Sequence, residues 1–227
     1  MGRIVFQEDD ISACLERVLD IVELYELYVL NGKQDFRSVD DLHWICTEYL
    51  GKKILVEYVD IPVDGSSIKA TFLAQADGSY WIGLLSGMSD EEERFVFCKE
   101  LFHVIFDEEG RRSLDLASHL EEYTSNIALD EGVPNCAAAW ETLAEIAATE
   151  FLFPHARRVQ ATASGSTADY GRLATRFGIP RFHVEVACSA RNLAYIGSRL
   201  AEIKAVRDGS LSGPASNDDA ADVDEVV

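Results

Sequence analysis

The chain has 227 residues, 48% of them hydrophobic, enough for one domain with a sizeable core. Its 20 basic residues against 40 acidic ones give a net charge of −20, which repels phosphate backbones and argues against direct DNA or RNA binding. No apolar run reaches the length of a membrane span, because residues 11–30 are broken by Glu16, Asp20, Glu23 and Glu26.

The first predicted element is an amphipathic helix over residues 9–30. Ile11, Leu15, Val18, Val22, Tyr25 and Val29 recur at helical spacing, and Asp9 or Asp10 is placed to cap it. A polar break from Asn31 to Arg37 follows. A second helix starts at Ser38, with Asp41 three residues on in a capping-box-like pattern, and ends near Gly51. Strands are expected over Lys53–Val59, Ala70–Gln75 and Tyr80–Leu84, the last two joined by a hairpin turn at Asp77-Gly78.

Ser89, with Glu92 at the third helical position, opens a helix expected to run to about Asp107 and to be ended by Gly110. Ala117–Ala128 reads as helical, and Cys136–Phe153 as a helix stopped by Pro154. A small-residue loop, Ala161–Thr167, leads to two further helices at Ala168–Phe177 and Arg181–Val206, with Pro180 between them. Residues 208–227 carry six acids and no base and are expected to be disordered. The five cysteines (Cys14, Cys46, Cys98, Cys136, Cys188) are scattered without a C-x-x-C and read as reduced core thiols. With no basic, apolar leader at its start, the sequence is expected to be cytoplasmic.

Chemistry concentrates in the segment Lys99-Glu100-Leu101-Phe102-His103. Positions 99 and 103 share one helix face, about 40° apart around the axis. In an H-E-x-x-H helix this spacing lets two histidines grip a zinc ion while the glutamate activates its bound water. Glu100 and His103 stand in those places, but position 99 is an ammonium, which has no lone pair for a metal. A second motif lies downstream at Glu141-Thr142-Leu143-Ala144-Glu145, in a helix running to Phe151-Leu152-Phe153-Pro154.

Taken together with Arg94-Phe95 upstream and Leu173-Ala174-Thr175-Arg176-Phe177-Gly178-Ile179-Pro180 downstream, these segments resemble the ImmA/IrrE family of zincin-like metallopeptidases over roughly residues 39–200. The resemblance implies an α+β fold, mostly helical, with a small sheet or hairpin beside the motif helix. It implies that Glu141 is the third metal ligand after His103, with Glu100 the catalytic glutamate. The implied cofactor is zinc, or none if Lys99 stands in for the metal as an internal cation paired with Glu141. The implied domains are an N-terminal helix extension (1–37), the zincin-like domain (38–207) and the acidic tail (208–227).

The resemblance also implies a regulator that acts on or binds a protein partner such as a DNA-binding repressor of a mobile element or stress response. Three readings remain open: a degenerate peptidase fold, a working peptidase with altered ligands, and a non-enzymatic acidic interaction module. The sequence departs from the family pattern at Lys99 and in the 38-residue spacing from His103 to Glu141, which contains an insertion over residues 104–140. His119 and His155 are weighed as replacement ligands and set aside, His155 as a surface residue. His43 and His183 have no partner pattern, and Cys98 is expected to pack in the core.

Overall fold

A computed structural model describes residues 8–29, 36–60, 69–107, 136–163 and 169–210. The elements are α1 (Glu8–Tyr28), α2 (Val39–Trp44), β1 (Ile54–Val59), β2 (Ala70–Ala74), β3 (Tyr80–Leu85), α3 (Asp90–Phe106), α4 (Cys136–Leu152), α5 (His155–Thr162), α6 (Tyr170–Phe177), α7 (Arg181–Ala187) and α8 (Ala190–Arg207). The fold is α+β, mostly helical with one small sheet, as the sequence implied.

The three strands lie in the order β1-β3-β2. β1 runs parallel to β3, in register from Ile54 opposite Tyr80 to Val59 opposite Leu85, and β2 pairs antiparallel with β3 through the hairpin. Asp77 Oδ1 accepts from Ser79 N at 3.0 Å, and Gly78 takes the positive φ of 81° that the turn needs. β3 is central, with Tyr80, Ile82 and Leu84 buried on the face toward the helices. On the other face Trp81 folds over Gly83, whose missing side chain leaves room for the indole.

The sheet packs on one side of α3 and α4 packs on another, so the second half of α3 is buried nearly all round: Cys98, Glu100, Leu101, Phe102, His103, Val104 and Ile105. α3 starts on a full capping box between Ser89 and Glu92, and four acids in its first turn favour the helix dipole. The core continues through aromatic edge contacts of Phe151 with Tyr25 at 5.5 Å and with Phe102 at 5.9 Å. α1 contributes Ile11, Leu15, Val18, Ile21 and Tyr25 to the same core and packs on α4 and α8. Tyr25 Oη accepts from Ser38 N at 2.8 Å, which joins α1 to the start of α2.

Several expectations need correction. α1 begins at Glu8, so Asp9 and Asp10 lie inside its first turn. α2 continues through Ile45–Tyr49 as a π-helical turn before Gly51. Pro154 stops α4 but caps a new helix, α5, which takes in Ala161 and Thr162 of the expected loop. The expected helix over Arg181–Val206 is two helices: Cys188 ends α7, and Ser189 starts α8 by accepting from Asn192 N. Cys14, Cys46, Cys98 and Cys188 are free and buried. The Ala117–Ala128 helix, Gly110, His119, the Cys136 side chain and the tail beyond residue 210 lie outside the described residues. Among the described residues, no helix is long and apolar enough to cross a membrane.

Phe151 is fully buried between α1 and α3, whereas Phe182 on α7 is 69% exposed. Phe151→Ala is therefore expected to cost about 3–5 kcal/mol in denaturant unfolding, and Phe182→Ala no more than about 0.5 kcal/mol.

Candidate functional site

The site lies where the C-terminal half of α3 meets the first half of α4. The spacing of Lys99, Glu100 and His103 turns all three toward α4 and the sheet, and α4 presents Glu141 to them. Lys99 Nζ donates to Glu141 Oε2 at 2.6 Å and lies 3.1 Å from Glu100 Oε1. His103 Nε2 lies 3.2 Å from Glu141 Oε1, close but without hydrogen-bond alignment. The structure thus brings together Lys99, Glu100, His103 and Glu141, although 38 residues of sequence separate the last two.

Burial differs sharply across this group. Glu100 is 1% exposed and His103 5%, while the Glu141 side chain keeps 40% of its surface open. Burial pushes the Lys99 ammonium down, but the Glu100 and Glu141 carboxylates outweigh it and hold the group above its ordinary range. Burial likewise pushes the Glu141 carboxyl up, and the His103 ring and Lys99 ammonium outweigh this and hold it at about 2. The Lys99 ammonium is thus clamped between Glu100 and Glu141, with the His103 ring beside the other oxygen of Glu141.

The hairpin stands beside this centre. Phe72 of β2 stacks on the His103 ring at 5.0 Å with an interplanar angle of 10°, fixing the imidazole against the sheet. Lys69, just before β2, is ion-paired with Glu92 on the first turn of α3, and Tyr58 Oη of β1 donates to Glu93 at 2.7 Å. Arg94 anchors the same turn differently. Its guanidinium donates to the Arg37 carbonyl and lies 3.9 Å over the Phe36 ring, and its stem fills the space beside Gly178, whose φ of 59° ends α6.

A three-ligand zinc centre needs lone pairs from positions 99, 103 and 141. Lys99 has none to give, and its ammonium is bonded to Glu141 Oε2. Among the described residues, no group of three or more His, Cys, Asp or Glu side chains is arranged to hold a metal. Of the three positions, 103 and 141 carry side chains with lone pairs for a metal, and 99 carries a cation.

His155 is not at this centre, nor is it a free surface residue. It is half-buried at the start of α5, with Nε2 2.9 Å from the Leu193 carbonyl. Cys98 points into the core, and His43 lies edge-on to Phe97. Sequence reasoning missed two neighbours of the site. His183 of α7 stacks on Phe95 at 4.0 Å, and burial, with the charges of Lys69 and Lys99, holds its pKa at about 4. Arg158 of α5, 2% exposed, is ion-paired with Glu150 of α4. The pairing of Arg158 eight residues after Glu150 crosses the Pro154 break, so no single-helix spacing could reveal it.

The Glu141 carboxyl is held below its ordinary value of 4.5, so it stabilises the fold above about pH 4.5 and loses that contribution as pH falls toward about 2. Glu141→Gln is expected to lower stability at pH 7 and to flatten this acid limb, as read by urea unfolding between pH 2 and 7. An unchanged acid limb would mean that Glu141 has no such partner in solution.

The family model for the IrrE N-terminal-like domain of Peptidase M78 matches residues 53–189. No curated protein matches the chain in sequence. A solved structure of a Mycobacterium tuberculosis transcriptional regulator is similar at 15% identity and a TM-score of 0.45. That match takes in 77% of this chain and 49% of the regulator, so the chain spans about half of that protein's length. With the family model covering more than half of the sequence, including Glu100, His103 and Glu141, the chain belongs to the Peptidase M78 family.

Proposed function

We propose that this chain is a regulatory protein on the M78 peptidase fold, with a degenerate zinc centre, which acts by binding a protein partner: a DNA-binding repressor of a mobile element or stress response. The observation that carries this reading is the 2.6 Å contact between Lys99 and Glu141. An ammonium bonded to that carboxylate supplies the positive charge the two acids require, and it leaves no lone pair at position 99 for a metal. Without a metal-bound water, Glu100 has no nucleophile to activate, and its carboxylate serves Lys99 instead.

The partner class comes from the likeness to the ImmA/IrrE family, and the chain's charge supports it. A chain with a net charge of −20 attracts a basic protein and repels the DNA that such a protein binds. A cytoplasmic setting belongs to the same proposal. The second reading is a metal-dependent peptidase with altered ligands. It is favoured by the 3.2 Å approach of His103 Nε2 to Glu141 Oε1, which keeps two donors side by side. The third reading, an acidic interaction module without any role for the centre, leaves the burial of Glu100 unexplained.

Glu100→Gln separates these readings. In cells that carry the gene, deletion is expected to change the transcripts under the repressor's control, while a chromosomal Glu100→Gln copy behaves as wild type. If a folded Glu100→Gln protein instead reproduces the deletion, the centre does chemistry and the degenerate reading fails. The charge argument has its own check: fluorescence anisotropy at physiological salt is expected to give no binding to duplex DNA. Tight binding that weakens steeply with salt would contradict it.

A further inference from the structure

A pocket of about 180 Å³ opens between α4, α7 and α8, beginning at Thr142 and Glu145, next to the Lys99–Glu141 centre. Small-molecule sites usually enclose roughly 300–1,000 Å³, so this one is sized for a single long side chain. Its walls are largely aliphatic, from Ile146, Val186 and Ile196. Its floor is the buried Arg158, whose charge is already taken by Glu150 and whose Nη1 donates to Asn192 Oδ1 at 3.2 Å. The His183 ring on the wall, with its pKa at about 4, is uncharged at neutral pH.

Among the described residues that line the pocket, Glu145 is the charged group with no direct partner. It sits four residues after Glu141, on the same face of α4, and is half-buried. Among the described residues, no hydrogen bond or ion pair engages it. Burial pushes its carboxyl above the usual range, and Lys99, which acts on it at a distance, is bonded to Glu141. The rim continues outward as an exposed apolar ridge, Phe182 at 69% and Val186 at 47%, one turn apart on α7.

We propose that this pocket is the subsite for one lysine or arginine side chain of the protein partner. The aliphatic stem lies along Ile146, Val186 and Ile196, the cationic head reaches Glu145, and an adjoining apolar residue of the partner rests on Phe182. Lysine and arginine combine a stem that suits an apolar channel with a head that pairs with a half-buried carboxylate. An acidic side chain would meet Glu145 as a like charge, and an aliphatic one would leave it unpaired. The inference rests on the proposed partner-binding function and names the chemistry that function would recognise.

The test uses the full chain, labelled with nitrogen-15, and three probes: the N-acetyl methylamides of lysine, norleucine and glutamate. The lysine probe is expected to shift the amides of residues 142–149, 183–187 and 192–196, and to bind about tenfold more tightly than norleucine. Glu145→Gln is expected to remove that tenfold advantage and leave norleucine binding unchanged. Norleucine or glutamate binding as well as lysine, or lysine shifts confined to other acidic surfaces, would overturn the subsite. The wild-type comparison decides the matter even if Glu145→Gln fails to fold. Zinc content, measured on the same sample, keeps the two ideas apart: an unselective pocket in zinc-free protein sinks only the subsite, and stoichiometric zinc sinks only the degenerate centre.

Discussion

Two carboxylates are held close together where α3 crosses α4, and something positive has to stand between them. Glu100 is nearly inaccessible and Glu141 is more than half covered, so both lose solvation on folding. Left unpaired, a carboxylate as buried as Glu100 costs several kcal/mol, far more than the roughly 0–1 kcal/mol associated with a surface ion pair, while the partly open Glu141 costs less. In the family pattern a metal ion would meet this demand. Here the ammonium of Lys99 does so within 3.1 Å of both acids, carried on the same helix as one of them. The cation that pairs with these two acids is therefore covalently part of the chain.

The surrounding structure is arranged to hold that contact still. The capping box at Ser89 sets where α3 begins and hence which residues face α4. The strand β2 sets Phe72 flat against His103, while Lys69 and Tyr58 tie the sheet to the first turn of the same helix. On the other side, α4 is anchored at its far end, where Arg37 Nη1 donates to the Phe151 carbonyl at 2.8 Å and Glu150 accepts from His155 N at 2.7 Å. A helix pinned at its C-terminal end and packed along its length keeps Glu141 and Glu145 in fixed positions. The centre and the pocket beside it consequently share one rigid wall.

Much of this was legible in the sequence because it is encoded locally. Ser38 and Ser89 announce their helices through hydrogen bonds to residues three positions on, and Asp77-Gly78 announces its hairpin through a backbone angle that glycine adopts freely. The meeting of His103 with Glu141 was legible only through family resemblance, since no spacing rule spans that distance. What escaped is of two kinds. Pro154 and Ser189 each end one helix and begin another, and a reading of apolar periodicity saw only the ending at Pro154 and ran straight through Ser189. His183 and Arg158 owe their places to tertiary packing, against Phe95 and Glu150 respectively, and nothing near them in sequence records it.

The central claim is that Lys99 replaces the metal. Its most direct test is elemental analysis of the full chain, purified without chelators or a metal-affinity tag, beside the Lys99→His variant, which regains H-E-x-x-H spacing. Our account predicts no stoichiometric zinc in the wild-type protein, and about one zinc per chain with a higher melting temperature in the variant. Stoichiometric zinc in the wild type, or a Lys99→His protein that takes up none, would contradict it.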